Sequence, residues 1–229
     1  MSLSTDSRYC GTVFVVRCTG RIVAGEEIGV LETSINRGLR ESNYVVLQAG
    51  DVTRVDSTGM GLLVRYLSHT RNRGGDLRLA SAPPFLDHLL QITKLASIFQ
   101  QYGSEEDAIV SFFKETGTRK KDDAAAGPGV LFVDQSADLC AFVRGILGNH
   151  GYQVLSTCRV HDAKMLLSAA KVEYIVLGPD CSQLSSDAVV ASLQPLAPSA
   201  RTVLLQSDFK YEDAERAGRE LLQSIQGHA

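Results

Sequence analysis

The chain has 229 residues, of which 44% are hydrophobic and 21% charged, and its formal net charge is −3. This composition is that of a globular protein of one or two domains, without the basic excess typical of nucleic-acid or membrane binding. Five scattered cysteines without a Cys-x-x-Cys pair argue against a disulfide framework and a zinc site, and suit a reducing cytoplasm. No signal peptide or apolar run of about 20 residues occurs, so we expect a cytoplasmic chain without a membrane span.

The first half alternates strand and helix patterns. Short apolar and β-branched runs predict strands at 12–18, 44–47, 77–80 and 98–99. Between them, apolar side chains at steps of three and four predict helices, including one with Phe85 turned inward. Ser104 followed by Asp107 is a capping signature for a final helix. This alternation predicts an α/β domain whose sheet is covered by helices.

Residues 116–129 are polar and charged, then small, and contain no large hydrophobic side chain. They predict a flexible linker between a domain at 1–115 and a second domain at 130–229.

The second domain repeats the strand–helix alternation. Its predicted strands, which are almost entirely apolar, lie at 130–133, 151–155, 174–177 and 202–205. All-apolar strands separated by helices predict a parallel sheet covered on both faces.

Polar and small residues are concentrated between the second strand and the helix that follows it. Ser57 and Thr58 are good N-cap residues because their oxygens accept the unpaired amide hydrogens of a first turn. Gly59 and Gly61 leave the backbone open to close approach. The pattern has two interpretations: a helix cap and nothing more, or a regulatory site.

The run Asp-Ser-Thr-Gly-Met-Gly-Leu at 56–62 resembles the signature of STAS domains, the fold of the anti-sigma-factor antagonists. The strand at 13–20, the turn and strand at 74–79 and the helix start at 104–108 extend the resemblance over about residues 10–115. In that family the first serine of the motif is the phosphoacceptor, which implies phosphorylation of Ser57. The resemblance also implies a partner-binding switch composed of Asp56, Ser57, Thr58, Gly59 and Met60.

Two positions depart from the pattern of phosphorylated relatives. Val23 stands where many of them carry an acid, and Gln48 where Asp or Asn is frequent. We expect both residues to lie near Ser57, where they would weaken recognition by a kinase.

The second half resembles the receiver domain of response regulators in the order of its first three strands, which implies a flavodoxin-like fold. Receivers hold Mg²⁺ with paired acids after the first strand and accept a phosphoryl group on an Asp after the third. Here Asp134 keeps the first acid, but Gln135 replaces the second and Gly178 stands at the acceptor position. Ser207 matches the switch hydroxyl. The resemblance therefore implies a degenerate receiver that accepts no phosphate and self-associates.

The leading functional hypothesis is a non-enzymatic partner-switching regulator of transcription. Its Ser57 surface would bind an anti-sigma serine kinase, phosphorylation would end that binding, and a separate phosphatase would reset it. The alternatives are a non-switching scaffold in a sensory complex and, third, an enzyme or small-ligand sensor at one of the sheet edges. We expect no metal, cofactor or direct nucleic-acid contact.

Four arginines are interpreted as solvated charges or as a basic rim for an acidic partner: Arg65, Arg71, Arg73 and Arg78.

Overall fold

The computed structural model describes residues 2–119, 127–182, 185–206, 209 and 214–227, without the side chains of 115–119 and 214. The chain divides into two compact units, Met1–Phe112 and Phe113–Ala229. Both contain helices and parallel strands, so the mixed α/β prediction is confirmed. That the two units fold independently stays a prediction.

The first unit contains five strands and begins with a hairpin that the sequence did not predict. Its strands are β1 (Ser4–Cys10), β2 (Val13–Ile22), β3 (Tyr44–Val55), β4 (Asp76–Ala80) and β5 (Gln100–Tyr102). They lie in the order β5-β4-β3-β2-β1, with β1 antiparallel to β2 and the other neighbours parallel. Gly11, at a φ of 59°, takes the first place of the two-residue hairpin loop, where a positive φ favours glycine.

Four helices cover this sheet: α1 (Glu26–Gly38), α2 (Ser57–Asn72), α3 (Pro84–Ile92) and α4 (Glu105–Arg119). Side chains alternate between the two faces of a strand. Leu77 and Leu79 of β4 join the apolar core beneath α1, α2 and α3, whereas Arg78 between them faces α4. The sheet is thus buried on both faces, which explains the nearly continuous apolar runs in its central strands.

Three local predictions between residues 85 and 119 need correction. The last strand is Gln100–Tyr102 rather than 98–99, because Phe99 fills the core while the polar residues after it pair with β4. Phe85 is 38% exposed, because Leu86 and Leu90 supply the buried stripe of α3. Helix α4 extends through 116–119, the first residues of the predicted linker, since an established helix gains a hydrogen bond with each added residue. Linker residues 120–126 lie outside the described residues.

The second unit contains a parallel sheet in the order β7-β6-β8-β9. Its strands are β6 (Gly129–Val133), β7 (Gln153–Thr157), β8 (Tyr174–Leu177) and β9 (Arg201–Leu204). Its helices are α5 (Ala137–Asn149), α6 (Val160–Ala169), α7 (Ser186–Leu193) and α8 (Ala214–Gln226). Helices α5 and α8 bury Val143 and Leu221 in one core with Val130 and Val176 of the sheet. Within the described part of the chain, no helix is both long and apolar enough to cross a membrane.

Candidate functional site

The N-terminus of α2 is capped by Asp56, not by Ser57 or Thr58. Asp56 has extended backbone angles, and its Oδ1 accepts a hydrogen bond of 2.8 Å from the amide of Gly59. An acid at this place satisfies one of the unpaired first-turn amides and also complements the positive end of the helix dipole. The interpretation of Ser57 and Thr58 as caps is therefore wrong, because Asp56 is the N-cap residue of α2.

Asp56 also ties α2 to the loop that follows β2. Its Oδ2 accepts a hydrogen bond of 2.8 Å from the amide of Ala24, and its own amide donates to the Ile22 carbonyl at 3.3 Å. The Ala24 amide, and then the Gly59 amide, hold the pKa of the Asp56 carboxyl below its ordinary value. The motif acid thus joins the end of β2 to the start of α2, and it stays ionised at neutral pH.

The motif residues separate into an exposed pair and a buried pair. Ser57 and Thr58 are exposed at the first two positions of α2. Gly59 is buried, and a Cβ atom there would lie 2.2 Å from the carbonyl oxygen of Ile22. Met60 is 6% exposed and packs in the core. Of the five residues expected to form the switch, Ser57 and Thr58 are exposed to solvent, while Gly59 and Met60 hold the helix against the sheet.

The two departures noted in the sequence lie at very different distances from the motif. Ile22 pairs with Val55, so Val23 follows directly at the level of Asp56. Gln48 pairs with Arg17, about 20 Å of extended strand before Val55. There its side chain is held by Ser81 and the Gly50 amide. The expectation that Gln48 lies near Ser57 is wrong, whereas Val23 is adjacent to the motif.

Exposed arginines, two of them paired with partly buried acids, surround the start of α2. Arg21 pairs with Glu27 at 3.2 Å. Further along α2, Arg65 pairs with Glu32. Arg54, exposed on β3, adds a favourable charge toward Asp56. The surface around Ser57 is therefore polar and charged.

With this geometry in place, comparison with known proteins assigns the first unit. Residues 7–108 match the STAS domain family model. Solved structures similar to this STAS domain include a protein from Thermotoga maritima assigned as an anti-sigma factor antagonist, 19% identical with a TM-score of 0.44, covering 47% of this chain and 92% of that chain.

Two further structures are of the anti-sigma factor antagonist SpoIIAA. Its unphosphorylated form is 16% identical with a TM-score of 0.43, covering 48% of this chain and 96% of that chain. The phosphorylated form of the Bacillus protein is 16% identical with a TM-score of 0.41, covering 48% of this chain and 99% of that chain.

In the second unit, the Asp134 carboxylate occupies the place where the receiver resemblance implies a phosphoacceptor pocket. Asp134 is 1% exposed, and its carboxylate accepts the amides of Ser136 at 2.8 Å and Asp180 at 3.0 Å. Burial raises the pKa of Asp134, and those two amides oppose the shift. A Cβ atom on Gly178 would lie 2.1 Å from Asp134 Oδ2, so this backbone leaves no space for an acid at position 178.

The other two predicted pocket residues contribute no acid. Gln135 is exposed, and its amide donates to the Asp180 carbonyl at 3.0 Å. Ser207 lies outside the described residues. Among the residues that the structure describes, no group of three or more His, Cys, Asp or Glu side chains is arranged to hold a metal ion.

The interpretation of Arg78 as a solvated charge or rim residue is wrong. Arg78 is 1% exposed, and its guanidinium stacks 3.6 Å from the centre of the Phe112 ring. It donates to the Ser111 hydroxyl, and its Nε lies 3.8 Å from the Asp76 carboxylate. A cation–π contact and an ion pair compensate for its desolvation. Arg78 therefore anchors α4 to the sheet.

Proposed function

We propose that this chain is a non-enzymatic, partner-switching regulator of the anti-sigma factor antagonist type, whose Ser57 surface binds an anti-sigma serine kinase. The proposal rests on one observation: an exposed serine at the first position of α2, in a STAS domain whose motif acid binds the amides of Gly59 and Ala24. The kinase, its nucleotide and its metal belong to the partner, and a separate phosphatase resets the switch.

A phosphate on Ser57 would change the surface rather than the fold. It would carry a charge of about −1.5 to −2 at neutral pH. Asp56 already takes the Gly59 and Ala24 amides, and its negative charge repels the phosphate outward. The positive end of α2 still tolerates an anion at this place. The expected result is a dianion at the centre of the partner surface, on an unchanged backbone.

The effect on affinity follows from desolvation. Burying an unpaired charge in an interface costs several kcal/mol. Each 1.4 kcal/mol or so lowers the affinity about tenfold. Phosphorylation of Ser57 is therefore sufficient to release the kinase.

The test is the calorimetric affinity for the serine kinase that co-purifies with the chain from its native cell. Ser57→Ala should bind it and accept no phosphate, and Ser57→Asp should bind at least tenfold more weakly. Thr58→Ala is the matched control, since it removes the adjacent exposed hydroxyl without adding charge. Wild-type affinity in Ser57→Asp, with a thermal melt equal to wild type, would contradict the proposal.

For the second unit we propose a receiver-like module that makes protein contacts, with homo-oligomer formation as its output. Its strand order β7-β6-β8-β9 follows the 2-1-3-4 part of the flavodoxin-like order. The overlap of an acid at position 178 with Asp134 supports a module that accepts no phosphoryl group.

One observation favours the second candidate function, a non-switching scaffold. Val23 places an apolar side chain, not an acid, beside the motif. A scaffold would bind its partners with equal affinity in wild type, Ser57→Ala and Ser57→Asp, so the same titration separates the two functions.

A further inference from the structure

Two thiols of the second unit face each other at the carboxyl end of its sheet. Cys140 lies in the first turn of α5, and Cys158 follows directly after β7. Their Sγ atoms are 3.9 Å apart, and both cysteines are free. Because a disulfide needs about 2.05 Å between sulfurs, an approach of about 2 Å would join them.

The two thiols have different environments. Cys140 is 4% exposed, and its Sγ lies 3.4 Å from the Asp134 carbonyl oxygen and 3.8 Å from that of Thr157. Its amide is fixed by the Ser136 carbonyl at 3.0 Å. Cys158 is half-buried in the turn between β7 and α6. One thiol is thus buried and held by a helix, and the other is within reach of a small solute.

The charges around the pair separate the two thiols further. The hydrogen bond between the two thiols lowers the pKa of Cys158, and Arg159 acts in the same direction. Burial and the charges of Asp134 and Asp162 oppose this shift. The pKa of Cys140 is raised, first by its bond to Cys158 and then by burial. Of the two thiols, Cys158 is therefore the one more readily ionised.

We propose that Cys158 and Cys140 form a peroxide-oxidised dithiol site, with Cys158 as the attacking thiol and Cys140 as the resolving thiol. An accessible thiolate beside a second thiol is the arrangement of redox-sensing cysteines. Cytosolic disulfides are usually transient and of this redox-sensing kind. The site is independent of Ser57 and of the function proposed above.

The chemistry balances with hydrogen peroxide as the oxidant. The Cys158 thiolate attacks one peroxide oxygen, the O–O bond breaks, and the sulfur becomes a sulfenic acid while hydroxide leaves and takes a proton. Cys140 then attacks the Cys158 sulfur, the S–O bond breaks, and a second water leaves with the Cys140 proton. Two thiols are oxidised to one disulfide and one peroxide is reduced to two waters. The product links α5 covalently to the turn before α6.

The test uses the reduced full chain, treated with hydrogen peroxide, alkylated with N-ethylmaleimide and digested with trypsin without reductant. Cleavage at Arg144 puts Cys140 and Cys158 on separate peptides, and Cys181 lies on a third beyond Lys171. We expect the Cys140 and Cys158 peptides to be joined, with the mass of two hydrogens lost, and to be released by dithiothreitol.

Variants distinguish the two roles. Cys140→Ser should leave a sulfenic acid on Cys158 that dimedone traps, whereas Cys158→Ser should leave Cys140 reduced. Cys181→Ser is the matched control, because it removes a buried cysteine of the same unit, 3% exposed, that is not part of the pair. This variant should form the Cys140–Cys158 disulfide as the wild type does. Joining of Cys158 to Cys181, or oxidation of Cys158 to sulfinic acid in the wild type without a disulfide, would overturn the proposal. The wild-type peptide map decides these outcomes even if a variant fails to fold.

Discussion

Gly59 and Gly61 lie two positions apart on α2 and have different surroundings. A Cβ atom on Gly59 would lie 2.2 Å from the Ile22 carbonyl oxygen and 2.9 Å from Ile22 Cγ2. A Cβ atom on Gly61 would meet no atom within 4 Å. Gly59→Ala therefore tests the close approach of α2 to β2, and Gly61→Ala is its matched control on the same helix.

The expected changes in the free energy of unfolding have opposite signs. A relaxed contact needs about 3.5 Å, so the two backbones must separate by about 1 Å in Gly59→Ala. The Ile22 oxygen also accepts the Asp56 amide, so this separation loosens the cap. Overpacking costs about 1–3 kcal/mol, whereas Gly to Ala in a helix gains about 0.5–1 kcal/mol. We expect a net loss of about 1–2 kcal/mol in Gly59→Ala and a gain of up to about 1 kcal/mol in Gly61→Ala.

The measurement is urea unfolding of the full chain followed by far-ultraviolet circular dichroism, since the sequence contains no tryptophan. Equal m-values would show that both variants unfold the same surface as the wild type. A Gly59→Ala variant as stable as the wild type would refute the steric argument, because only a displacement of α2 that costs nothing could produce it.

Three further outcomes are expected. Gly178→Asp should remain without acid-labile phosphoaspartate after incubation with acetyl phosphate and Mg²⁺, because its Cβ atom would already overlap Asp134 Oδ2. A stoichiometric adduct on this variant or on the wild type would contradict this. The folded pKa of Asp56 is depressed below 3.8, so its stabilisation is complete above that pH and is lost as the pH falls further. Thermal melts at neutral pH and near pH 3 should therefore show a smaller acid-induced loss in Asp56→Asn than in the wild type, and equal losses would disprove the linkage. Leu204 is 48% exposed on β9, so Leu204→Glu should reduce the particle mass in light scattering. Gln206→Glu, which adds the same charge nearby, should not; equal masses in all three proteins would argue against self-association through β9.

The elements with a strong local pattern could be predicted from the sequence. Strand β8, Tyr174–Leu177, has the bounds predicted for it, because four apolar and β-branched residues stand between Glu173 and Gly178. Ser104 and Asp107 form the predicted cap, with the Asp107 amide donating to the Ser104 hydroxyl at 3.0 Å. Strand β1 could not be predicted, since polar residues fill most of Ser4–Cys10 and its stability comes from pairing with β2.

At the candidate site, the sequence located the exposed serine but not the role of the acid before it. Local preference made Ser57, Thr58 and Asp56 comparable caps. The choice of Asp56 depends on the Ala24 amide, which is distant in sequence and is brought close by the pairing of β2 with β3. The Cys140–Cys158 pair was missed for the same reason, because the approach of α5 to the end of β7 has no short-range spacing signal.

The acids that follow β3 and β6 have the same structural use in the two units. Asp56 holds the amides of Gly59 and Ala24, and Asp134 holds those of Ser136 and Asp180. In each case one oxygen takes an amide of the following turn, and the other takes an amide from a loop beyond a neighbouring strand. A carboxylate used twice in this way accepts an amide on each oxygen, which leaves only the second lone pair of each oxygen for a ligand or a phosphoryl group. The groups proposed above to react at these strand ends are their neighbours, a hydroxyl in the first unit and a pair of thiols in the second.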